Sequence, residues 1–328
     1  MNKPKVLGLS NALLKYYAFK KRTPLSVTIH LNDRCNYSCS YCSIWKKHRK
    51  ELTTAQVFSL LDGLKKLGTQ RVGFTGGEPL LRGDIGKIID HAHQLGIITT
   101  LVTNGALVEK KINELKNLDI LAPSLQGPEE VHDKQIRKGA YKNIIKAIKI
   151  AREHGIKVWN VVVLTKYNID HVDFLLKKAE EMDFYLHFQP VFAYPLSGDV
   201  KDVMPILDKY RAVIKKLIEE KKRPGNRINS SIACLKYHYN YPNYGKLKCY
   251  AGELYIWVDV DGKVYPCFGM IGRINAPSVL DVGVKNAVNK TVRLACHGCF
   301  CHAYVEMNNM CSLNFGEIFN MAKIMQRQ

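Results

Sequence analysis

The stretch that decides the fold runs Ala140-Tyr-Lys-Asn-Ile-Ile-Lys-Ala-Ile-Lys-Ile-Ala-Arg-Glu-His-Gly155 and continues Ile156-Lys-Val-Trp-Asn-Val-Val-Val-Leu164. In its first half Ile144, Ile145, Ile148 and Ala151 recur at helical spacing with lysines on the opposite face, and Gly155 after His154 is a stop signal. The second half is a short Val-rich apolar run of the kind expected from a strand buried on both faces. Working outward, the same pair repeats. Strands are expected at Leu25–Leu31, Arg71–Phe74, Ile97–Thr103, Ile120–Leu125, Lys157–Leu164 and Tyr185–Pro190, and helices near 53–67, 84–95, 107–117, 140–154 and 168–182. Gly68 and Gly96 close two of these helices.

Six successive βα units require a parallel sheet with right-handed crossovers. The fold class is α/β, expected as a partial (β/α)6 TIM-like barrel, with an open sheet as the other solution. In both, chemistry gathers at the carboxyl ends of the strands. A further helix over 202–222 breaks at Lys221-Lys-Arg-Pro-Gly225, and beyond it the periodicity is lost. The expected organisation is a basic amphipathic segment (1–24), a core (25–200), a helical linker (201–247) and a small cysteine-rich C-terminal domain (248–328).

Composition sets the outer bounds. With 328 residues, 46% hydrophobic and 24% charged, the chain is ordinary globular protein and long enough to fold without disulfide staples. Its ten cysteines therefore call for another explanation. The formal charge of +20 predicts attraction to something anionic, and residues 1–50 hold eleven Lys/Arg against the single acid Asp33. No apolar run is long enough to cross a membrane, and the N-terminal apolar stretch lacks a cleavage site, so a cytoplasmic location is expected. Val6, Leu9, Leu13, Tyr16 and Tyr17 share one face of a candidate helix followed by Lys20-Lys-Arg22. That combination fits peripheral residence at an anionic membrane surface, or a short helix packed on the core.

Cys35, Cys39 and Cys42 follow the first strand in the spacing C-x3-C-x2-C. A structural zinc site takes four protein ligands. Three clustered thiolates with no fourth nearby point instead to an iron–sulfur cluster with one iron left open for a small-molecule chelate. On these residues the sequence resembles the radical S-adenosylmethionine enzymes, over roughly residues 28–190. Thr75-Gly76-Gly77-Glu78-Pro79 after the second strand resembles that family's methionine-binding segment: the glycines admit close backbone approach and the Glu78 carboxylate can accept from an ammonium. Thr103-Asn104-Gly105 and Ser124-Leu125-Gln126-Gly127 end the third and fourth strands, where the family places polar contacts to the nucleoside. The resemblance also puts Tyr41 beside the adenine and Arg137 at the methionine carboxylate.

Cys249 and Cys267 frame Tyr255–Tyr265, whose Asp261-Gly262 is a hairpin turn signal. The pattern C-x12-G-x4-C, followed by Cys296-x2-Cys299-x-Cys301, resembles the auxiliary iron–sulfur extension called SPASM in its two-cluster form and Twitch in its one-cluster form. Cys301 comes too early for the two-cluster spacing. One auxiliary 4Fe–4S cluster on Cys249, Cys267, Cys296 and Cys299 is expected, with Cys301 able to replace Cys299. Zinc is the competing occupant. His297 and His302 are read as loop residues or as donors to the ligands, Cys234 as a packed cysteine, and Cys311 is left open.

The resemblance implies a 4Fe–4S cluster with an open site, S-adenosylmethionine, and a low-potential electron donor such as ferredoxin or flavodoxin. It also implies hydrogen abstraction from an unactivated C–H bond. The substrate is open between a lipid-linked or membrane-associated molecule and a peptide; only some 24 residues precede the first strand, fewer than a peptide-recognition domain needs. A zinc-stabilised nucleic-acid-binding protein is the reading outside this class, but the βα alternation is wrong for the common modules, so a nucleic-acid partner is not expected. An iron–sulfur electron carrier is another, and it would not need the segments at 76–79 and 124–126.

Overall fold

A computed structural model describes residues 16–18, 22–243, 245, 247–296 and 298–312. The N-terminal amphipathic segment lies outside these residues, apart from a helical turn at 16–18, and so does His297.

Six parallel strands follow one another across the sheet: β1 (Ser26–His30), β2 (Arg71–Thr75), β3 (Ile98–Thr103), β4 (Ile120–Pro123), β5 (Lys157–Leu164) and β6 (Tyr185–Pro190). Between them run α1 (Thr54–Lys66), α2 (Ile85–Gln94), α3 (Val108–Lys111, extended by a 3-10 turn to Leu115), α4 (Glu129–Gln135), α5 (Ala140–Glu153) and α6 (Val172–Glu181). Thr53 opens α1 with a reciprocal capping box to Gln56. The helix expected at 202–222 begins only at Leu207 as α7 (Leu207–Lys222), because the segment through Pro205 is extended. Then come α8 (Ile232–Tyr239), β7 (Tyr255–Val258), β8 (Val264–Tyr265), α9 (Val279–Lys290) and α10 (His302–Cys311).

The six-strand expectation holds for the order and direction of β1–β6, and the sheet goes further. Its order is β6-β5-β4-β3-β2-β1-β7-β8, with β7 parallel to β1 in the register Val27↔Ile256. The hairpin turns where expected: Gly262 has φ +82 and donates to the Asp259 carbonyl at 2.9 Å. It thus extends the barrel sheet instead of standing apart from it.

The strands are also not apolar on both faces. Val27, Ile29, Val72 and Phe74 point outward and are fully buried under Leu60, Leu61, Leu64, Ile88 and Ile89 of the helices. Their neighbours Ser26, Thr28, Arg71, Gly73 and Thr75 point inward and line a cavity of about 370 Å³. The period of two is therefore a division between a helix-covered core and a barrel interior. Beyond the pair Leu121↔Val158 the ladder between β4 and β5 ends, and side chains bridge the opening: Asn160 Oδ1 accepts from Leu125 N at 2.6 Å and its Nδ2 donates to Leu125 O at 3.0 Å.

Candidate active site at the carboxyl ends of the strands

The loop after β1 lies directly on the loop after β2. Gly77 N donates to Asn32 O and Glu78 N to Arg34 O, both at 2.7 Å, and Asn32 Nδ2 donates to Glu78 O at 2.9 Å. A Cβ on Gly77 would sit 2.3 Å from Arg34 O and 2.5 Å from Asp33 O. The glycine thus allows backbone to rest on backbone, and the residues it supports lead straight into Cys35. A second tie holds the start of the loop. Asp33 and Asp259, both almost fully buried, share Arg49, whose Nη2 lies 2.7 Å from Asp33 Oδ1 and whose Nη1 pairs with Asp259. His30 stands between the two carboxylates at 3.1 and 3.4 Å. Burial opposes ionisation of Asp33, yet hydrogen bonds from His30 and Arg49 hold its carboxyl well below the usual range.

Cys35, Cys39 and Cys42 are partly buried and close enough for Cys39 to feel the other two thiols. Burial, with those neighbours adding to it, pushes the Cys39 thiol up to about 12. Such a set is unfavourable as bare thiolates and favourable around a cationic centre, which deprotonates coordinating thiols outright. Asn104 Nδ2 approaches Cys35 Sγ at 3.9 Å and donates to Asn36 Oδ1 at 2.8 Å. Arg137 donates to Asn36 O at 3.2 Å and lies over the Tyr37 ring. Tyr41 and Ser124 line the cavity. The donor chemistry fits a three-thiolate iron–sulfur cluster, although among the described residues no three Cys, His, Asp or Glu side chains are grouped closely enough to hold a single metal ion.

Two residues expected at a ligand are turned elsewhere. Glu78 has 0% exposure, and its carboxylate accepts from Leu80 N (3.0 Å), Asn104 N (2.8 Å) and Thr103 Oγ1 (2.9 Å). It joins the end of β2 to the end of β3 and sets the position of Asn104. Gln126 is likewise 0% exposed; its Nε2 donates to Val161 O and its Oε1 accepts from Val163 N, both at 2.9 Å, stitching β4 to β5. Pro79 opens a 3-10 turn after Glu78 and is buried. Gly76 packs against Asn32.

The later cysteines also lie within electrostatic reach of one another. Cys267 is perturbed by Cys249, Cys296 and Cys301, and Cys299 by Cys301, Cys267 and Cys249. Burial pushes Cys267 up to about 12 and Cys301 to about 11. Cys249 Sγ lies 3.4 Å from Tyr255 Oη, and Cys301 N donates to Cys299 Sγ at 3.4 Å. Cys296 is exposed, and no disulfide joins any of the ten cysteines. Cys311 is fully buried in the adjoining apolar cluster, and Cys234 packs beside His238.

One chamber reaches from Tyr41 and Ile44, which flank Cys42 in the chain, to Phe268, Cys301 and Tyr304; of the described cysteines Cys301 alone lines it. Burial pushes the Tyr194 phenol above its usual range, and Cys42, Cys301 and Cys39 push it the same way, so this ring is within electrostatic reach of both sets. Tyr194 meets Phe268 edge-on at 4.9 Å, and Phe268 stacks on Tyr304 at 5.3 Å. None of these aromatics is marked in the sequence by a motif.

Residues 29–179 match the family model of the radical SAM superfamily, so this part of the chain is a radical SAM domain. Enzymes of that superfamily catalyse radical chemistry with a 4Fe–4S cluster and S-adenosylmethionine. Among solved structures, the chain is similar to SuiB of Streptococcus suis bound to S-adenosylmethionine, with a TM-score of 0.67 and 18% identity over 83% of this chain and 68% of that one. It is also similar to anSMEcpe with bound AdoMet and the Cp18Cys peptide, with a TM-score of 0.66 and 21% identity over 92% of this chain and 97% of that one. At these identities the likeness is one of fold. No helix among the described residues is long and apolar enough to cross a membrane.

Proposed function

We propose that the chain is an enzyme that holds a 4Fe–4S cluster on Cys35, Cys39 and Cys42 and acts on a substrate in the barrel chamber. The cluster and S-adenosylmethionine, when bound, supply reductive cleavage to methionine and a 5′-deoxyadenosyl radical that takes hydrogen from an unactivated C–H bond. The chain's own work is placement and exclusion of water. Gly76–Glu78 and Asn104 fix the cysteine loop, Tyr41 and Ser124 wall the upper chamber, and Arg137 braces the loop from outside. An auxiliary 4Fe–4S cluster on Cys249, Cys267 and Cys296, completed by Cys299 or Cys301, belongs to the same reading. The observation that carries it is that Tyr194, which lines the chamber, lies within electrostatic reach of Cys39 and Cys42 of the first set and of Cys301 of the second. Electrons come from a low-potential donor of the ferredoxin or flavodoxin type.

A peptide substrate is favoured over a lipid-linked one by one observation: anSMEcpe and SuiB, which share the fold, have been solved with the Cp18Cys peptide and the precursor peptide SuiA. The lipid-linked reading rests on the N-terminal sequence alone. Anaerobic reconstitution tests the two clusters. The full chain is expected to hold about eight irons, and a Cys35→Ala/Cys39→Ala/Cys42→Ala variant about four. A variant that retains no iron would remove the auxiliary cluster, and zinc in its place would reassign the second set.

A further inference from the structure

Arg71 is a charged residue on the inner face of the barrel. It opens β2, and that strand's inward positions are Arg71, Gly73 and Thr75, all lining the chamber. Its Nη2 donates to Thr100 Oγ1 at 3.2 Å, and its guanidinium lies over the Trp159 ring at 5.6 Å. Among the described residues no carboxylate opposes it, and burial alone shifts its pKa, downward. Glu306, which also lines the chamber, accepts from Ser231 N at 2.7 Å. A guanidinium has five donors, keeps its charge in proteins, and is costly to bury without an anion.

A second donor lines the same chamber, and both it and Arg71 approach the Trp159 ring. His187 on β6 is 9% exposed, and burial pushes its pKa down, with His302, whose ring lies 4.7 Å away, then Arg71 and Lys221 adding to the shift. Asn229 Nδ2 lies 2.9 Å from His187 Nε2. With the amide in this orientation Nε2 accepts and the ring proton sits on Nδ1, while Asn229 Oδ1 is also buried without a hydrogen-bond partner among the described residues. That Nδ1 is buried and has no hydrogen-bond partner among the described residues. An unsatisfied buried donor in the same chamber as an unopposed guanidinium is unusual enough to require an explanation.

We propose that Arg71 and His187 form a subsite that binds a carboxylate of the substrate at the floor of the barrel. This deepens the reading above, since it rests on the chamber being where the substrate sits. One guanidinium and one neutral donor match a monoanion better than a dianionic phosphate. The subsite also limits substrate shape. Arg71 lies four residues below Thr75 on β2, so the carboxylate is held roughly 13 Å beneath the loop that carries Gly76 and Gly77. Between the two levels the walls include Val102, Val161 and Val163. The substrate presents an apolar middle to these walls and its reacting carbon near the cysteine loop.

Calorimetric titration of the anaerobically reconstituted full chain tests this with three probes: phenylbutyrate, phenylbutyramide and phenethyl phosphate. The carboxylate is expected to bind about tenfold or more tighter than the amide, the difference made by charge-assisted hydrogen bonds. Arg71→Gln is expected to erase that preference, and Arg71→Lys to keep part of it. Equal binding of acid and amide, or a preference that survives Arg71→Gln, would overturn the proposal. So would tighter binding of the phosphate, or no carboxylate binding to the wild-type chain up to roughly 10 mM. If Arg71→Gln does not fold, the acid–amide comparison on the wild-type chain still decides. Absence of S-adenosylmethionine cleavage is a separate result that strikes the enzymatic reading, because binding of the probes is read without turnover.

Discussion

Gly77→Ala is expected to lower S-adenosylmethionine cleavage by roughly 100-fold or more, the cost of displacing reacting groups by about 1 Å. The reason is steric and local. The new methyl would lie 2.3 Å from Arg34 O and 2.5 Å from Asp33 O, and both are backbone atoms in the loop that delivers Cys35. No rotamer change relieves such a contact, so one loop must lift from the other. Lifting breaks the bonds from Gly77 N to Asn32 O and from Glu78 N to Arg34 O. The buried carboxylates Asp33 and Asp259, held by Arg49, resist the movement from the other side. Thermal unfolding of the same variant should show a loss of about 3 kcal/mol, at the upper end for overpacking. Wild-type cleavage and stability in this variant would mean that the two loops do not rest on each other.

Glu78→Gln carries the second large effect, and its signature is a pH dependence. Both carboxylate oxygens of Glu78 receive backbone N–H groups, one from Leu80 and one from Asn104. A glutamine offers a single acceptor oxygen and turns its own NH₂ toward one of those donors. The unsatisfied group costs about 2 kcal/mol. Burial, partly offset by the donors at Asn104, Leu80 and Thr103, raises the Glu78 pKa from 4.5 to about 7. A carboxyl whose folded pKa is raised contributes stability that is fully present below pH 4.5 and lost as pH climbs through 7. For a shift of this size the loss is about 3 kcal/mol. The difference in unfolding free energy between wild type and Glu78→Gln should therefore shrink from pH 5 to pH 8. Parallel stability curves for the two proteins would contradict the buried, titrating carboxylate.

Much of this architecture is legible in the sequence because parallel strands and crossover helices are local patterns. The Val-rich run Lys157–Leu164 and the aromatic Tyr185–Pro190 are strands over those same residues, and Gly155 ends α5 as its position implies. The pairing of β7 with β1 was not legible. It joins residues more than two hundred positions apart, and nothing in Tyr255–Val258 names its neighbour. The same divide runs through the site. Spacing picks out Cys35, Cys39 and Cys42, and the resemblance to the radical S-adenosylmethionine enzymes picks out the glycines at 76 and 77. Neither reveals that the Glu78 and Gln126 side chains face inward as ties between strand ends, because a motif names a residue without giving the direction of its side chain. Arg71 did leave a signal: a charge opening an otherwise apolar strand, in phase with Gly73 and Thr75. Its meaning appears only when the sheet curves and His187, from β6, lines the same chamber.

The central claim is that the three-cysteine loop works with S-adenosylmethionine in radical chemistry. It is tested most directly by incubating the anaerobically reconstituted full chain with S-adenosylmethionine and dithionite and measuring 5′-deoxyadenosine. The account predicts dithionite-dependent formation of 5′-deoxyadenosine that falls to background in Cys39→Ala. A chain that binds iron at this loop yet forms none, or a Cys39→Ala variant that forms as much as the wild type, would contradict it.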